Sequence, residues 1–283
     1  VRKDFTMDKN MLGTALENVR ATTPLVHCIT NYVTVNDCAN ALLACGGSPI
    51  MADDENDAPA ITQICGGLVL NIGTLNARTV ATMHKAGKVA GELGHTIVLD
   101  PVGAGASAMR TETAAALIDE LPVTVVRGNM SEIKALTGAA AATRGVDANP
   151  DDAVTDENLA EVAAIVRELA AKLGCVVAVT GAIDLVATAD RALAVRNGRP
   201  IMGKITGTGC MLDTIIAAYV VANPEHALEA TAAAIAGWGL AGEVAEGRMG
   251  ELDGNASFRT YLTDAAYNMT ADQLMNGAQV EEP

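Results

Sequence analysis

Four short aliphatic runs recur along this chain, and each stops at a polar or glycine-rich cluster. They are "GLVLNIG" (67–73), "TIVLDPV" (96–102), "VTVVRGN" (123–129) and "CVVAVTG" (175–181). Runs of Val, Ile and Leu without polar alternation are strands covered on both faces, which requires helices on either side of a mainly parallel sheet. The intervening sequence predicts those helices: one within "MDKNMLGTALENVRA", one through "TVNDCANALLACG" after an extended "PLVHCIT", and others near 76–93, 108–120, from Ser131, and 155–173. The pair "DLVATAD" and "ALAVRNG" (184–198) has polar ends and a short turn and reads as an antiparallel hairpin at one edge. After Gly209 the chain reads helical almost to its end. Half of the 283 residues are hydrophobic but only 2% are aromatic, so Ala, Val, Ile and Leu must make the core. Residues 142–156 read as a polar surface loop, and no repeat or linker divides the chain, so a single domain spanning 1–283 is expected.

A formal net charge of −15 without any basic cluster disfavours nucleic acid and anionic membranes as partners. No apolar run approaches the ~18 residues of a membrane span, and the N-terminus lacks a signal-peptide pattern; a cytoplasmic protein is expected. Six cysteines, at 28, 38, 45, 65, 175 and 210, show neither Cys-x-x-Cys spacing nor a zinc pattern, and reduced thiols are the expectation.

In open parallel sheets, ligands bind beyond the carboxyl ends of the strands. The clusters "NIGT" (71–74), "DPVGAGAS" (100–107), "RGNMSE" (127–132) and "TGAID" (180–184) fall there, joined by "TGTGC" (206–210) at a helix start. In that turn glycines admit close backbone approach, and the first helical amides lack partners, which makes an anion hole of Gly207, Thr208 and Gly209. A turn capped by Thr206 or Thr208 is the structural alternative. The Walker pattern and the third glycine of a dinucleotide fingerprint are both absent. Asp100 and Glu132 close a strand or open the helix after it, and two such carboxylates suit a hydrated Mg²⁺. Taken singly, an Asp-Pro turn for Asp100 and a favourable helix first-turn charge for Glu132 are the better explanations. Arg127 is a bidentate phosphate clamp or a solvated surface residue. Within 27–58, Asn31 and Asn36 offer hydrogen bonds, and Ile50 with Met51 offers an apolar wall for a small substrate.

Taken together, "ITNYVTVNDCANALLACGGSPIMAD", "LNIGTL", "VLDPVGAGAS", "RGNMSEIKAL", "VAVTGAIDLV" and "ITGTGCML" resemble the hydroxyethylthiazole kinases of the ribokinase-like superfamily, from about Pro24 to Ala218. The resemblance implies transfer of a phosphoryl group from ATP, with Mg²⁺, to the primary hydroxyl of 4-methyl-5-(2-hydroxyethyl)thiazole, for thiamine salvage. It puts Cys210 where the superfamily carries an aspartate base, beside the anion hole, and Gly207 against the substrate hydroxyl. Asn31 and Met51 would line the thiazole pocket, Arg127 and Thr180 would contact ATP phosphates, and Asp100 and Glu132 would organise Mg²⁺. It also implies a homotrimer with active sites at subunit interfaces. A thiol at a helix N-terminus can have a lowered pKa, so partial thiolate character at Cys210 is expected, with a modest part in catalysis. Asp213, one turn beyond Cys210, departs from the pattern and is either a second carboxylate near the site or, the favoured reading, a solvated helix residue. Rival readings are a kinase of another heterocyclic alcohol, of the hydroxymethylpyrimidine or pyridoxal type, and a nucleotide-dependent dehydratase on the same fold. The cysteine at 210 and the lack of Lys or Arg in "ITNYVTVN" (29–36) weigh against them.

Overall fold

The computed structural model describes residues 9–138 and 153–283. Its centre is a nine-stranded sheet in the order β2-β1-β3-β4-β5-β6-β7-β8-β9. The strands are β1 (Leu25–Ile29), β2 (Ser48–Ile50), β3 (Gly67–Asn71), β4 (Thr96–Asp100), β5 (Val125–Gly128), β6 (Val176–Val179), β7 (Asp184–Ala187), β8 (Ala192–Val195) and β9 (Val280–Glu281). The first six pair in parallel, and the last three continue the sheet antiparallel. The 184–198 hairpin is therefore present in an antiparallel edge that β9 extends by one short strand, and after Gly209 the chain is largely helical until β9, almost at its end. Most of the expected loop, 142–152, lies outside the described residues.

Period-two alternation sorts the strand side chains onto two cores. Val69, Val98, Val125, Val176 and Val186 face one core. It is shared with α1 (Lys9–Thr22), α2 (Val35–Cys45), α8 (Thr208–Ala222), α9 (Ala227–Gly247), α10 (Asn255–Asn268) and α11 (Ala271–Gly277). Leu68, Leu70, Ile97, Leu99, Val126 and Val177 face the other. There they meet α3 (Ala58–Ile64), α4 (Ala77–Leu93), α5 (Ala108–Glu120), α6 (Met130–Leu136) and α7 (Leu159–Leu173).

The same alternation aims the polar strand ends. Asn71, Asp100 and Arg127 lie two positions beyond Val69, Val98 and Val125, so all three point to the face covered by α8. Register puts Asn71 beside Asp100, and pairs Leu99 with Val126, so that Asp100 and Arg127 follow side by side. Helix α8 itself is apolar all round, with Met211 to Val220 buried, as a helix sunk into a core must be. Among the described residues, no helix is long and apolar enough to cross a membrane.

Candidate active site

A line of hydrogen bonds crosses the carboxyl ends of four strands. Asn31, just past β1, donates through Nδ2 to Asn71 Oδ1 at 3.1 Å. Asn71 Nδ2 donates to Asp100 Oδ2 at 2.7 Å, and Arg127 Nη2 donates to the same oxygen at 2.6 Å. Arg127 then forks onto α8, with Nε 2.7 Å from Asp213 Oδ1 and Nη2 2.9 Å from Asp213 Oδ2. Asn31 also reaches the Cys210 sulfur at 3.3 Å, and its own Oδ1 accepts from the Thr34 amide and hydroxyl. Arg110 pins the neighbouring turns by donating to the Ile72, Val102 and Gly73 carbonyls.

Asp213 is thus fully buried, not solvated. In a helix that is apolar on every side, a charge has no route to water and must find a partner inside. Arg127 is likewise buried rather than surface-exposed. Two carboxylates share this one guanidinium. Burial works against the Arg127 charge, but Asp100 and Asp213 together hold it well above its ordinary value. With Arg127 gripped bidentately by Asp213, burial drives the Asp100 carboxyl well above the usual carboxylate range despite the arginine's pull.

The "TGTGC" turn is not closed by a hydroxyl. Gly207 is the N-cap of α8, in the left-handed region at φ +83, and no side chain caps the helix. Thr208 Oγ1 instead donates to the Met202 carbonyl. Open first-turn amides and the helix dipole favour an anion here. Gly207 packs so tightly on Thr34 that a Cβ would collide with the threonine methyl. Cys210 lies in the first turn, yet burial foremost, then the Asp213 carboxylate, pushes its thiol up rather than down. The balance thus runs against thiolate character, because desolvation opposes the helix dipole.

A cavity of about 430 Å³ brings together Asn31, Asp100, Arg127, Glu132, Thr180, Gly207, Thr208, Gly209 and Cys210. Of the residues expected in the site, Met51 does not line it; it follows β2 and packs on the edge of the core. Asn36 is exposed on α2 and bonds to Asn40. A second cavity, about 540 Å³, shares Thr180, Thr208 and Gly209 with the first and extends past Asp184, Asn197, Arg199 and Trp238. Trp238 anchors its wall by donating to the Thr208 carbonyl at 3.2 Å. Sequence reasoning missed Asn197 and Trp238, and of its two readings of Asp213 the less favoured, a second carboxylate near the site, is the one the buried pairing with Arg127 supports. Only Asp213 carried a readable signal, as a charge in an all-apolar helix.

The carboxylates fit a hard, hydrated cation. Asp100 Oδ1 is a buried oxygen with no hydrogen-bond partner among the described residues. Glu132 is oriented by the Gly103 amide on Oε1 and the Asn129 amide on Oε2, both at 2.8 Å, which leaves lone pairs for metal-bound water. Burial raises the Glu132 carboxyl, partly offset by those amides. Asp100, Cys210 and Asp213 also bring possible ligand atoms within 4.8 Å of one another. Both Asp213 oxygens are already spent on Arg127, however, and a thiol is a poor donor to Mg²⁺.

Residues 16–272 match the hydroxyethylthiazole kinase family. The hydroxyethylthiazole kinase of Clostridium acetobutylicum is 52% identical over 271 residues, 96% of this chain and 99% of its own length. The solved structure of the hydroxyethylthiazole kinase protein of Pyrococcus horikoshii superposes with a TM-score of 0.85 at 37% identity, over 96% of this chain and 99% of that one. A pyridoxal kinase from Staphylococcus aureus, solved with ADP, superposes at 0.60 with 14% identity, over 92% of this chain and 98% of that one. It shares the fold. The chain belongs to the hydroxyethylthiazole kinase family.

Proposed function

We propose that the protein phosphorylates the primary hydroxyl of 4-methyl-5-(2-hydroxyethyl)thiazole, using ATP, in thiamine biosynthesis or salvage, and that residues 1–283 form one ribokinase-like domain. The observation that carries this reading is the meeting of two cavities at Thr180, Thr208 and Gly209. A nucleotide in the larger one, flanked by Arg199 and Trp238, presents its terminal phosphate at the open N-terminus of α8. An alcohol in the smaller one, beside Asn31 and Gly207, reaches the same point from the other side.

In this reading the chain's main work is positioning and charge stabilisation, as suits a loose phosphoryl-transfer transition state. The Thr208, Gly209 and Cys210 amides receive the phosphate oxygens, and Arg127 supplies the fixed positive charge beneath them. Thr180 contacts the phosphates from the end of β6. The neutral Cys210 thiol, held by Asn31, orients the substrate hydroxyl, whose proton leaves late to a phosphate oxygen or to water; the thiol forms no covalent intermediate. Asp100 and Glu132 would hold Mg²⁺, which when bound would supply neutralisation of charge on the transferring phosphate.

Family kinship supports a homotrimer with shared sites. Val33, which lines the smaller cavity, is 57% exposed and its chain neighbour Tyr32 78% exposed, the kind of apolar surface a neighbouring subunit covers. There Met51 of one subunit serves the pocket of another. The free cysteines are consistent with a cytoplasmic protein.

The test is a coupled ADP-release assay with Mg-ATP and hydroxyethylthiazole, beside pyridoxal and hydroxymethylpyrimidine. Thiazole-dependent release that stops with EDTA is expected; release with another alcohol alone would replace the substrate, and none with any would end the kinase reading. Light scattering on the eluted protein should give three chains per particle.

A further inference from the structure

The mechanism above uses Arg127 but not the residue that grips it. Asp213 is completely buried on α8 and takes two of the guanidinium nitrogens, Nε at 2.7 Å and Nη2 at 2.9 Å. Nη2 is shared with Asp100 Oδ2 at 2.6 Å. Only Nη1 is then left to turn to the cavity that Arg127 lines. The guanidinium lies directly under the anion-binding turn: a Cβ built on Gly209 would stand 2.7 Å from Nη1 and 3.0 Å from Nη2. A planar fork held on one edge by a carboxylate has its free nitrogen fixed in direction as well as place.

We infer that Asp213 is a positioning residue for nucleotide binding: it clamps Arg127 so that Nη1 is presented to the phosphate at the α8 turn. The inference rests on the kinase reading, because it presumes a nucleotide phosphate there. It makes a prediction whose sign is not the obvious one. Asp213 is a negative charge near a polyanion site, so by charge alone its removal should tighten nucleotide binding. If it acts by aiming Arg127, its removal weakens binding, because the guanidinium is free to swing onto Asp100. A one-carbon lengthening displaces the fork and weakens binding too, although the charge is kept.

The experiment measures ADP affinity by calorimetry without Mg²⁺, together with the Michaelis constants for ATP and hydroxyethylthiazole, in the wild type, Asp213→Asn and Asp213→Glu. Each variant is checked by thermal melting. For Asp213→Asn we expect a loss of ADP affinity of about tenfold and a parallel rise in the ATP Michaelis constant, with that for the thiazole unchanged. Asp213→Glu should lose less, but measurably. Tighter ADP binding by Asp213→Asn with a wild-type Asp213→Glu would show that only the charge matters and overturn the inference. A lowered melting temperature with unchanged ADP affinity would overturn it as well, leaving a purely structural ion pair. If Asp213→Asn does not fold, Asp213→Glu carries the test, and wild-type affinity in it is the overturning result. Wild-type protein without thiazole-dependent ADP release would instead defeat the kinase reading, whatever the variants do.

Discussion

At the scale of single residues, Cys210 shows how environment decides the character of a side chain. Its place in the first turn of α8 argues for a low pKa, and its burial beside Asp213 argues for a high one; burial prevails. A neutral thiol is a weak base, so its part is to orient rather than to drive the transfer. Cys210→Ser, which keeps a hydrogen-bonding group of similar size, is therefore expected to fold normally. It should lower turnover by less than ~10⁴-fold, read in the same ADP-release assay with melting as a control. A larger loss with intact nucleotide binding would make Cys210 an essential base. From sequence the neighbouring Asp213 reads more readily as solvated than as a second site carboxylate, because charge in a helix first suggests solvent. The helix around it, "MLDTIIAAYVV", has no polar face to put it on, and that was the legible sign that it is buried and paired.

Elements repeat the lesson at larger size. The aliphatic strands β3 to β6 and the polar clusters that end them were legible, because unbroken Val/Ile/Leu runs have few other uses. Strand β2, with Pro49 in its three residues, and β9, with two, were not. Such short strands carry no period and exist only because a neighbour offers a free edge. The site followed the strands: nine expected residues converge on one cavity, while Met51, carried by the unread β2, falls outside it. The entry into α8 is the element most exposed to error. Gly207 combines a positive φ with direct packing on Thr34, so Gly207→Ala should cost about 1–3 kcal/mol from backbone strain alone, plus the clash. Replacing Thr34 by Ser, which removes the methyl but keeps the hydroxyl bonded to Asn31, should recover only the clash. The check is chemical denaturation of the two single variants and the double; additive losses would mean that the two residues do not press on each other.

For the molecule as a whole, the half-buried Asp184 in the wall of the larger cavity shapes the response to pH. Burial pushes the Asp184 carboxyl up to about 7, against the pull of the Gly181 amide and Arg127. The folded protein therefore holds a proton there that the unfolded chain releases near the ordinary aspartate value of 3.8. Its contribution favours folding at low pH and is lost as pH rises towards 7. Asp184→Asn, which keeps the oxygen that accepts from Gly181 at 2.8 Å, should thus raise the melting temperature at pH 8 and change it little near pH 4. An equal shift at both pH values would mean that the carboxyl titrates normally. With a net charge of −15, the protein as a whole repels an anionic nucleotide, so attraction must come from the few cations and open amides that line the paired cavities.

The bonded line from Asn31 through Asn71, Asp100 and Arg127 to Asp213 has a consequence for anyone who would redirect this scaffold. Parallel strands have no ladder partners beyond their last paired residues, and here the side chains of the site itself lash those loose ends together. The floor of the site is thus also the fastening of the sheet, and exchanging any member loosens both at once. The rim is different: Val33 and Thr74 line the smaller cavity without belonging to the lashing. A scaffold drawn this way lets the choice of alcohol drift at its edge while the phosphate end stays tied to the persistence of the fold.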